Sequence, residues 1–357
     1  EDVIKPLYGA YASICVAREA RQPLALDLPE LSVSLGKDGR VSHVAPRARL
    51  DAHKLVEEFM IAANVAAAET LEKKRSPCMY RVHDTPADDK VTSLREFLET
   101  LDYKLAKGQA IKPRHYNAIL ASVKGTAHEP LVNTVVLRSQ SQAVYSPDNL
   151  GHFGLALQRY AHFTSPIRRY ADLMVHRGLI ASLGLGEDGL ADDAGEKFVE
   201  IGEQISTLER RSSAAEREAN DRYMAAYLES RTGATFSGRI SGVARFGLFV
   251  TLDEIGADGL VPIRDIGSEY FHHDEVSHAL VGEHSGDAWR LGDTVEVKVV
   301  EADAITGSVR LELLSESTLK IAPGKGGKKN DRRPPSGRRG KPVKRGRPKN
   351  IRHSNRK

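Results

Sequence analysis

The sequence has few of the residues on which disulfide or metal frameworks depend. Cys15 and Cys78 are its two cysteines, and no Cys/His cluster has zinc-binding spacing, so we exclude a disulfide scaffold and expect a reducing, cytoplasmic location. No segment approaches the ~18 consecutive apolar residues of a membrane span, which excludes a transmembrane protein. The chain starts at Glu1 without a basic-then-apolar leader, so we predict no signal peptide and interpret the sequence as a portion of a longer protein.

Net positive charge is confined to the end of the chain. From Lys320 to Lys357 there are 16 Lys and Arg residues against one acid, Asp331, which gives +15 and leaves −11 for the preceding residues. This tail holds 5 of the 16 prolines and almost no apolar residue. The tail has too little apolar surface to bury to offset the conformational entropy lost on folding, so we expect residues 316–357 to be disordered. A basic block on an acidic body is typical of an arm that binds nucleic acid, such as structured or ribosomal RNA.

Hydrophobic periodicity divides the body into a helical part and a strand-rich part, which predicts an α+β fold. Residues 1–50 have the pattern of short strands and turns, including a hairpin. Helices are predicted at residues 55–74, from a capping box at Ser93 onward, and at 196–231. Period-two segments then predict five strands, at residues 235–241, 247–252, 259–263, 294–301 and 308–313. We interpret residues 1–232 as a mostly helical domain with some strands, and 233–315 as a five-stranded OB-fold barrel.

The segment from Gly151 to Arg177, GHFGLALQRYAHFTSPIRRYADLMVHR, is the most informative in the chain. Ser165 followed by proline has the form of an N-cap and a first helical residue, so a helix is predicted to begin there. Arg168 and Arg169 would then lie in the first turn. Each positive charge there would destabilise the helix by ~0.3–1 kcal/mol, because it faces the positive end of the helix dipole. A bound anion would remove this conflict. The pattern therefore indicates a phosphate site made of both guanidiniums, free N–H groups and the hydroxyls of Thr164 and Ser165.

An alternative explains the same charges without a ligand. Asp172 lies three residues after Arg169 and four before His176, and both are helical spacings that allow ion pairs. Arg169 would then be matched by Asp172, and the segment would be a structural element.

The same segment carries a family resemblance. HFGL at 152–155, YAHFTSPIRRY at 160–170, Asp172, and HR at 176–177 resemble the signature of the RNB exoribonucleases. The segments LVEEFMIAAN, YRVHD and RSQSQAVYSP, which start at Leu55, Tyr80 and Arg138, support it. With the barrel and the basic tail in the expected order, the resemblance covers nearly the whole chain.

The resemblance implies processive hydrolysis of single-stranded RNA from a free 3′ end to nucleoside 5′-monophosphates, with Mg²⁺ as cofactor. It implies that Arg168 steadies the phosphate beside the scissile bond, an electrostatic contribution that is usually the largest in phosphoryl transfer. It also implies that Glu216, on the later helix, lines the site of the RNA 3′ end, although a glutamate among arginines is also typical of a surface ion pair. We expect four further residues to contact RNA: Thr164, Ser165, Arg169 and Tyr170.

The metal ligands that the resemblance implies are missing from the sequence. RNB enzymes bind Mg²⁺ through aspartates that lie close together in sequence, and this chain has no such run. Asp88–Asp89 and Asp192–Asp193 stand in polar surroundings and are interpreted as solvated loops. We therefore predict no metal ligand in this chain, expect the carboxylates upstream of Glu1, and expect the chain alone to be inactive.

The barrel has a resemblance of its own. Residues 238–250, GRISGVARFGLFV, resemble the S-one-type RNA-binding OB domain. In that family, two aromatic rings beside a glycine stack on bases at ~1–3 kcal/mol per base, and the matching residues here are Phe246 and Phe249. Strict strand alternation would place them on opposite faces, so both can face RNA only if the strand has a bulge at Gly247. Otherwise one ring belongs to the core.

Two other functions fit parts of the sequence. A noncatalytic RNA-binding protein acting on mRNA or ribosomes needs only the barrel and the tail, but it leaves the 27-residue segment from Gly151 to Arg177 unexplained. A structural scaffold on ribosomes would be anchored by the tail and would have a vestigial RNB-like body, and the intact Arg168 argues against it. A portion of a 3′-to-5′ exoribonuclease is therefore the interpretation that the sequence favours.

Overall fold

A computed structural model describes residues 2–26, 31–37, 39, 41–106, 108 and 110–321. Most of the predicted disordered tail, residues 322–357, lies outside the described residues. The first residues of that tail differ from the prediction, because Leu319–Lys320 form a strand that pairs with Asp287 and Ala288. Within the described ranges, no helix is long and apolar enough to cross a membrane.

The described residues contain seven α-helices, which build most of the amino-terminal part. They are α1 (Ile4–Arg21), α2 (Asp51–Lys73), α3 (Asp88–Glu99), α4 (Pro113–Val123), α5 (Glu129–Ser139), α6 (Tyr170–Leu183) and α7 (Phe198–Glu229). The helices predicted at 55–74 and 196–231 are confirmed as α2 and α7.

Two predictions in this part are wrong. Residues 4–21 form α1 instead of strands and turns; Pro6 is in its first turn, where proline is tolerated, and none of its residues is buried. α3 begins at Asp88 instead of Ser93, with Ala87 as its N-cap residue. Two acidic residues in the first turn of α3 favour this earlier start by interacting with the helix dipole.

The strands, in chain order, are β1 (Leu31–Leu35), β2 (Val41–Pro46), β3 (Tyr80–Val82), β4 (Val144–Ser146), β5 (Thr235–Ala244), β6 (Gly247–Leu252), β7 (Asp258–Pro262), β8 (Phe271–Asp274), β9 (Ala279–Gly282), β10 (Asp287–Arg290), β11 (Thr294–Asp303), β12 (Ser308–Leu313) and β13 (Leu319–Lys320). β1 and β2 form the predicted hairpin, and β3 pairs with β4. Both pairs are antiparallel.

The five strands predicted after Gly233 close into a barrel in the order β11-β12-β7-β6-β5. Its pairs are antiparallel except for β12 with β7, which is parallel. Alternating residues from these strands fill the barrel core, among them Ile240, Leu248, Val250, Val297 and Leu311. The period-two pattern predicted these strands because one face of each is buried.

A small sheet, most of which is inserted between β7 and β11, was not predicted. β8, β9 and β10 lie there in the chain, and the fourth strand, β13, follows β12. The sheet has the order β13-β10-β9-β8. All four residues of β9 are buried, so the strand lacks the alternation that marks a half-buried strand.

The barrel packs against the helical part through the segment after β10. Leu291 joins the hydrophobic core of α3, α4 and α5. A Cβ at Gly292 would lie 2.7 Å from Cβ of Leu131, so only glycine fits there. Arg138 on α5 donates from Nη2 to the Ser241 carbonyl oxygen at 2.7 Å.

Two smaller cores position residues 151–177, the signature segment. One contains Leu71 of α2, Val82 of β3 and Val175 of α6. The other contains Tyr145 of β4 and Phe198 of α7. The residues that precede α6 are therefore held between α2, the β3–β4 pair and α7.

Candidate nucleic-acid interface

The predicted phosphate-binding segment forms a tight turn before a helix. Pro166–Arg168 make the turn, and the backbone N–H groups of Arg168 and Arg169 donate to the Ser165 carbonyl oxygen at 3.3 and 3.1 Å. α6 begins at Tyr170, with Arg169 as an extended N-cap residue (φ −123°, ψ 119°). The predicted helix start at Ser165 is therefore wrong, and both arginines precede the helix.

A buried carboxylate in the first turn of α6 explains this difference. Asp172 has 0% exposure and accepts three hydrogen bonds of 2.8 Å, from the Ser165 N–H and from Nε and Nη2 of Arg169. The alternative pairing of Arg169 with Asp172 is thus confirmed. His176 makes a different contact from the one expected, since its Nε2 lies 2.8 Å from the Phe163 carbonyl oxygen.

Arg168 differs from its neighbour in having no partner. Its side chain is exposed, and within the described part of the chain its guanidinium makes no hydrogen bond or ion pair. Tyr170 and Ile167, in the same short stretch, are 52% and 98% exposed. The Thr164 Oγ1 is buried and, among the described residues, also lacks a hydrogen-bond partner. The turn therefore offers an anion one free guanidinium, and not the two that the sequence indicates.

A network of charged and aromatic side chains connects β3, β4 and α7 to this turn. Arg81 donates to both carboxylate oxygens of Glu209, at 2.6 and 3.1 Å, and its guanidinium lies 4.6 Å from the Tyr145 ring centroid. The Tyr145 hydroxyl lies 2.9 Å from Nδ1 of His162. No role for Arg81 or Tyr145 is predicted from the sequence, because Glu209 lies 128 residues from Arg81 and His162 lies 17 residues from Tyr145.

Two histidines of the signature are kept neutral by their surroundings. Burial, aided by the positive charges of Arg169 and Arg81, lowers the pKa of His162 to about 3. Burial also lowers the pKa of His152 to about 3. The Tyr160 ring lies between them, with centroid distances of 5.2 Å to His152 and 5.7 Å to His162. Near neutral pH, His162 therefore adds no positive charge beside Arg169, and His152 adds none beside Arg81.

Asn64 fixes the chain that leads into the turn. Its side chain is buried, donates from Nδ2 to the Tyr160 hydroxyl at 3.1 Å, and accepts from the Phe163 N–H at 2.8 Å through Oδ1. These two bonds tie residues 160–163 to α2. Asn64 is the last residue of the LVEEFMIAAN segment, and no local pattern in that segment indicates this role.

Glu216 lies on an exposed part of α7. It follows Glu209 by two helical turns, which places it on the same face about 10 Å further along the axis. In the part of the chain that the structure describes, its carboxylate has no ion-pair partner. The role at the RNA 3′ end stays a prediction.

The two aromatic residues of the barrel are both accessible. Phe246 is 58% and Phe249 38% exposed, and their rings meet edge to face with centroids 5.8 Å apart. Phe246 lies in the turn before β6, so strand alternation does not separate the rings. The bulge at Gly247 that strict alternation would require is absent, because β6 pairs with β7 without a register shift. Both rings are accessible without it. A register shift lies on β5 instead, between Ile240 and Gly242.

No group of three or more His, Cys, Asp or Glu residues that could hold a metal ion occurs among the described residues. Asp88 and Asp89 are exposed in the first turn of α3, not in a loop as interpreted from the sequence. Asp192 and Asp193 are exposed in a turn. The residues present therefore do not fit the Mg²⁺ site that the resemblance implies.

Comparison with known families divides the chain in the same way as its fold. Residues 2–184 match the RNB domain, and residues 229–314 match the S1 RNA binding domain. The first match contains the turn at Arg168, and the second contains the barrel.

Curated relatives and solved structures agree with these matches. The chain is 36% identical to ribonuclease R of Escherichia coli over 94% of its own length and 42% of the relative's. It is 41% identical to ribonuclease R of Aquifex aeolicus over 81% of its own length and 41% of the relative's. Mycoplasma genitalium RNase R in complex with ribose-methylated single-stranded RNA matches with a TM-score of 0.81 and 28% identity, over 88% of this chain and 49% of that one.

The chain spans about two fifths of the length of these curated relatives. The RNB match covers half of the chain, and the identity to ribonuclease R extends through the barrel. The chain therefore belongs to the RNB family.

Proposed function

We propose that this chain is the RNA-holding portion of a processive, hydrolytic 3′-to-5′ exoribonuclease that degrades single-stranded RNA to nucleoside 5′-monophosphates. The observation that carries the proposal is the exposed, unpartnered Arg168 on a turn braced by the buried Asp172. A free guanidinium held on a rigid turn can bind an RNA phosphate without reorganising. The similarity to ribonuclease R over 94% of the chain supports RNA as the source of that phosphate.

The proposal divides the work among three parts of the chain. Residues 1–232 carry the phosphate contact at Arg168, with Glu216 at the RNA 3′ end. Residues 233–315 form an OB-type barrel, which the parallel pairing of β12 with β7 supports, and its Phe246 and Phe249 stack on bases. The basic residues after Lys320 attract structured RNA, including that of ribosomes, by charge.

The metal chemistry of this reaction is assigned to carboxylates outside the described residues, because those present do not form a ligand set. The two thiols are unpaired, and burial raises the pKa of Cys78 to about 12. Free thiols suit a reducing compartment, so the proposed location is the cytoplasm.

The first experiment incubates the chain with 5′-labelled single-stranded RNA that has a free 3′ end, with Mg²⁺ or with EDTA, and resolves products and bound RNA in parallel. We expect salt-sensitive binding without cleavage. Stepwise shortening that EDTA abolishes would support the nuclease and overturn the assignment of the metal ligands elsewhere. Absence of both binding and cleavage would contradict the proposal.

A charge-matched pair of variants tests the contact at Arg168. The salt slope of binding is the magnitude of the decrease in log affinity per unit of log salt. Arg168→Ala should lower it by about 0.7, the value of one single-strand phosphate contact. Arg114→Ala removes the same charge from the exposed surface of α4 and should leave the slope unchanged. Equal slopes for both variants would mean that Arg168 does not touch the phosphate.

Binding without cleavage in the whole protein is the second candidate function, and the accessible pair Phe246 and Phe249 favours it. Such a pair suffices to hold single strands by stacking, without any catalytic group. The upstream coding sequence discriminates the two functions. A run of aspartates there supports the nuclease, and a start codon directly before Glu1 supports the binding protein.

A further inference from the structure

We propose that Asp172 is a positioning residue, which acts through Arg169 and Ser165 to fix the turn that presents Arg168 to an RNA phosphate. The inference rests on the proposed function and deepens it. The two adjacent arginines, alike in sequence, would then have different roles: Arg169 braces the turn and Arg168 binds the phosphate.

The geometry of the turn carries the first step. One oxygen of Asp172, Oδ1, accepts both from the Ser165 N–H and from Nη2 of Arg169, while Oδ2 accepts from Nε of Arg169, all at 2.8 Å. The carboxylate therefore bonds to both ends of the stretch Ser165–Arg169, and Arg168 lies between the two bonded ends. The backbone bonds to the Ser165 carbonyl oxygen close the same stretch from the other side.

The charges carry the second step. A two-point pair between a guanidinium and a carboxylate matches the charge of Arg169 and uses two of its five N–H donors. Asp172 has 0% side-chain exposure and Arg169 21%, so the pair is held away from solvent. Arg168 is exposed and unpaired in the described part of the chain, so it is the cation of this turn that stays available to an anion.

The bracing requires a carboxylate at position 172. An asparagine there has one acceptor oxygen, and its NH₂ group would face an N–H donor of Arg169. Asp172→Asn would therefore lose at least one bond and leave the Arg169 charge unmatched in a half-buried place, so the turn would loosen. The change alters no group that faces solvent.

The test is a double-mutant cycle on the full chain, with short single-stranded RNA as the probe. The salt slope of binding is measured for the parent, Arg168→Ala, Asp172→Asn and the double variant. We expect each single variant to lower the slope by about 0.7 and the double variant to lower it no further, since both changes remove the same phosphate contact. A purely structural role would lower the melting temperature and leave the slope unchanged.

Two further variants keep the test decisive. Glu72→Gln breaks the ion pair of Arg159, in the same signature segment, without touching the turn, and should bind RNA as the parent does. Arg169→Lys keeps the charge but loses the two-point fork, so it should also lower the slope, and it tests the proposal if Asp172→Asn fails to fold.

The outcomes separate the inference from the function on which it rests. If Arg168→Ala leaves the slope unchanged, the proposed phosphate contact is wrong. If Arg168→Ala lowers the slope while Asp172→Asn and Arg169→Lys keep the parent's value, the contact stands and the positioning role is overturned. A steeper slope in Asp172→Asn would mean that the freed Arg169 binds phosphate itself, which also overturns it.

Discussion

Acidification is expected to destabilise the helical part through two buried histidines. The pKa values of His152 and His162 are lowered to about 3, whereas an unfolded chain has the ordinary value of about 6.5. The unfolded state therefore binds more protons between these values, and stability is lost as the pH falls from about 6.5 towards about 3. Since one pKa unit corresponds to ~1.36 kcal/mol, a change from pH 7 to about pH 5 should cost about 2 kcal/mol for each histidine.

The assay is urea unfolding at several pH values, followed by two signals. Far-ultraviolet circular dichroism reports mainly the helices, and fluorescence of the single tryptophan, Trp289, reports the barrel core to which it belongs. The acid-induced loss should appear in the helical signal. His162→Asn removes one titrating group and should reduce the loss by about 2 kcal/mol. His284→Gln removes a ring with an 81% exposed side chain and serves as the matched control.

Two results would refute this reasoning. The first is a His162→Asn variant whose helical transition has the same pH dependence as the parent's. The second is an acid-induced loss that appears in the tryptophan signal and leaves the helical transition unchanged. Either would mean that burial next to Arg169 does not hold the His162 ring neutral.

Four further changes test the barrel and the tail. Phe246→Ala and Phe249→Ala should each weaken single-stranded RNA binding by about 5- to 150-fold, measured by fluorescence anisotropy, and equal affinity would show that the rings do not stack on bases. Deleting residues 322–357 should flatten the salt dependence of binding, and an unchanged slope would mean that the tail does not touch RNA. Gly247→Ala would place a Cβ 2.3 Å from the Val261 carbonyl oxygen, so it should destabilise the barrel by on the order of 1–3 kcal/mol in urea unfolding.

The barrel could be predicted from the sequence because its strands follow one rule. Each of the five has one buried face, so apolar residues alternate along it. The inserted sheet could not, since β9 is buried on all of its residues and its neighbours have only four residues each. Phe271 of β8, in this sheet, is 5% exposed and belongs to the barrel core.

The family of the segment 151–177 could be predicted from the sequence, but its local conformation could not. Ser165 followed by proline is a strong local helix-start signal, and here it is overruled by a carboxylate seven residues later that takes the Ser165 N–H. The pairing of Arg169 with Asp172 could be predicted, because its spacing is helical and α6 begins just before Asp172. No local pattern predicts the bonds of Arg81 to Glu209 or of Asn64 to the chain before the turn. These bonds join residues that are 128 and about 100 positions apart in the sequence.

The charge distribution of the barrel explains why stacking and salt dependence should be separable. Residues 233–321 contain 7 basic and 15 acidic residues, a net charge of −8, so this RNA-binding fold has an unfavourable charge for a polyanion. Six of the seven cations also lie within 4.0 Å of a carboxylate, and the seventh, Arg239, donates to the Gly292 carbonyl oxygen. Under the proposed function, barrel affinity would then come mainly from bases stacking on the rings of Phe246 and Phe249, with little dependence on salt. Long-range attraction would come from the fifteen basic residues after Lys320, and local phosphate contact from Arg168.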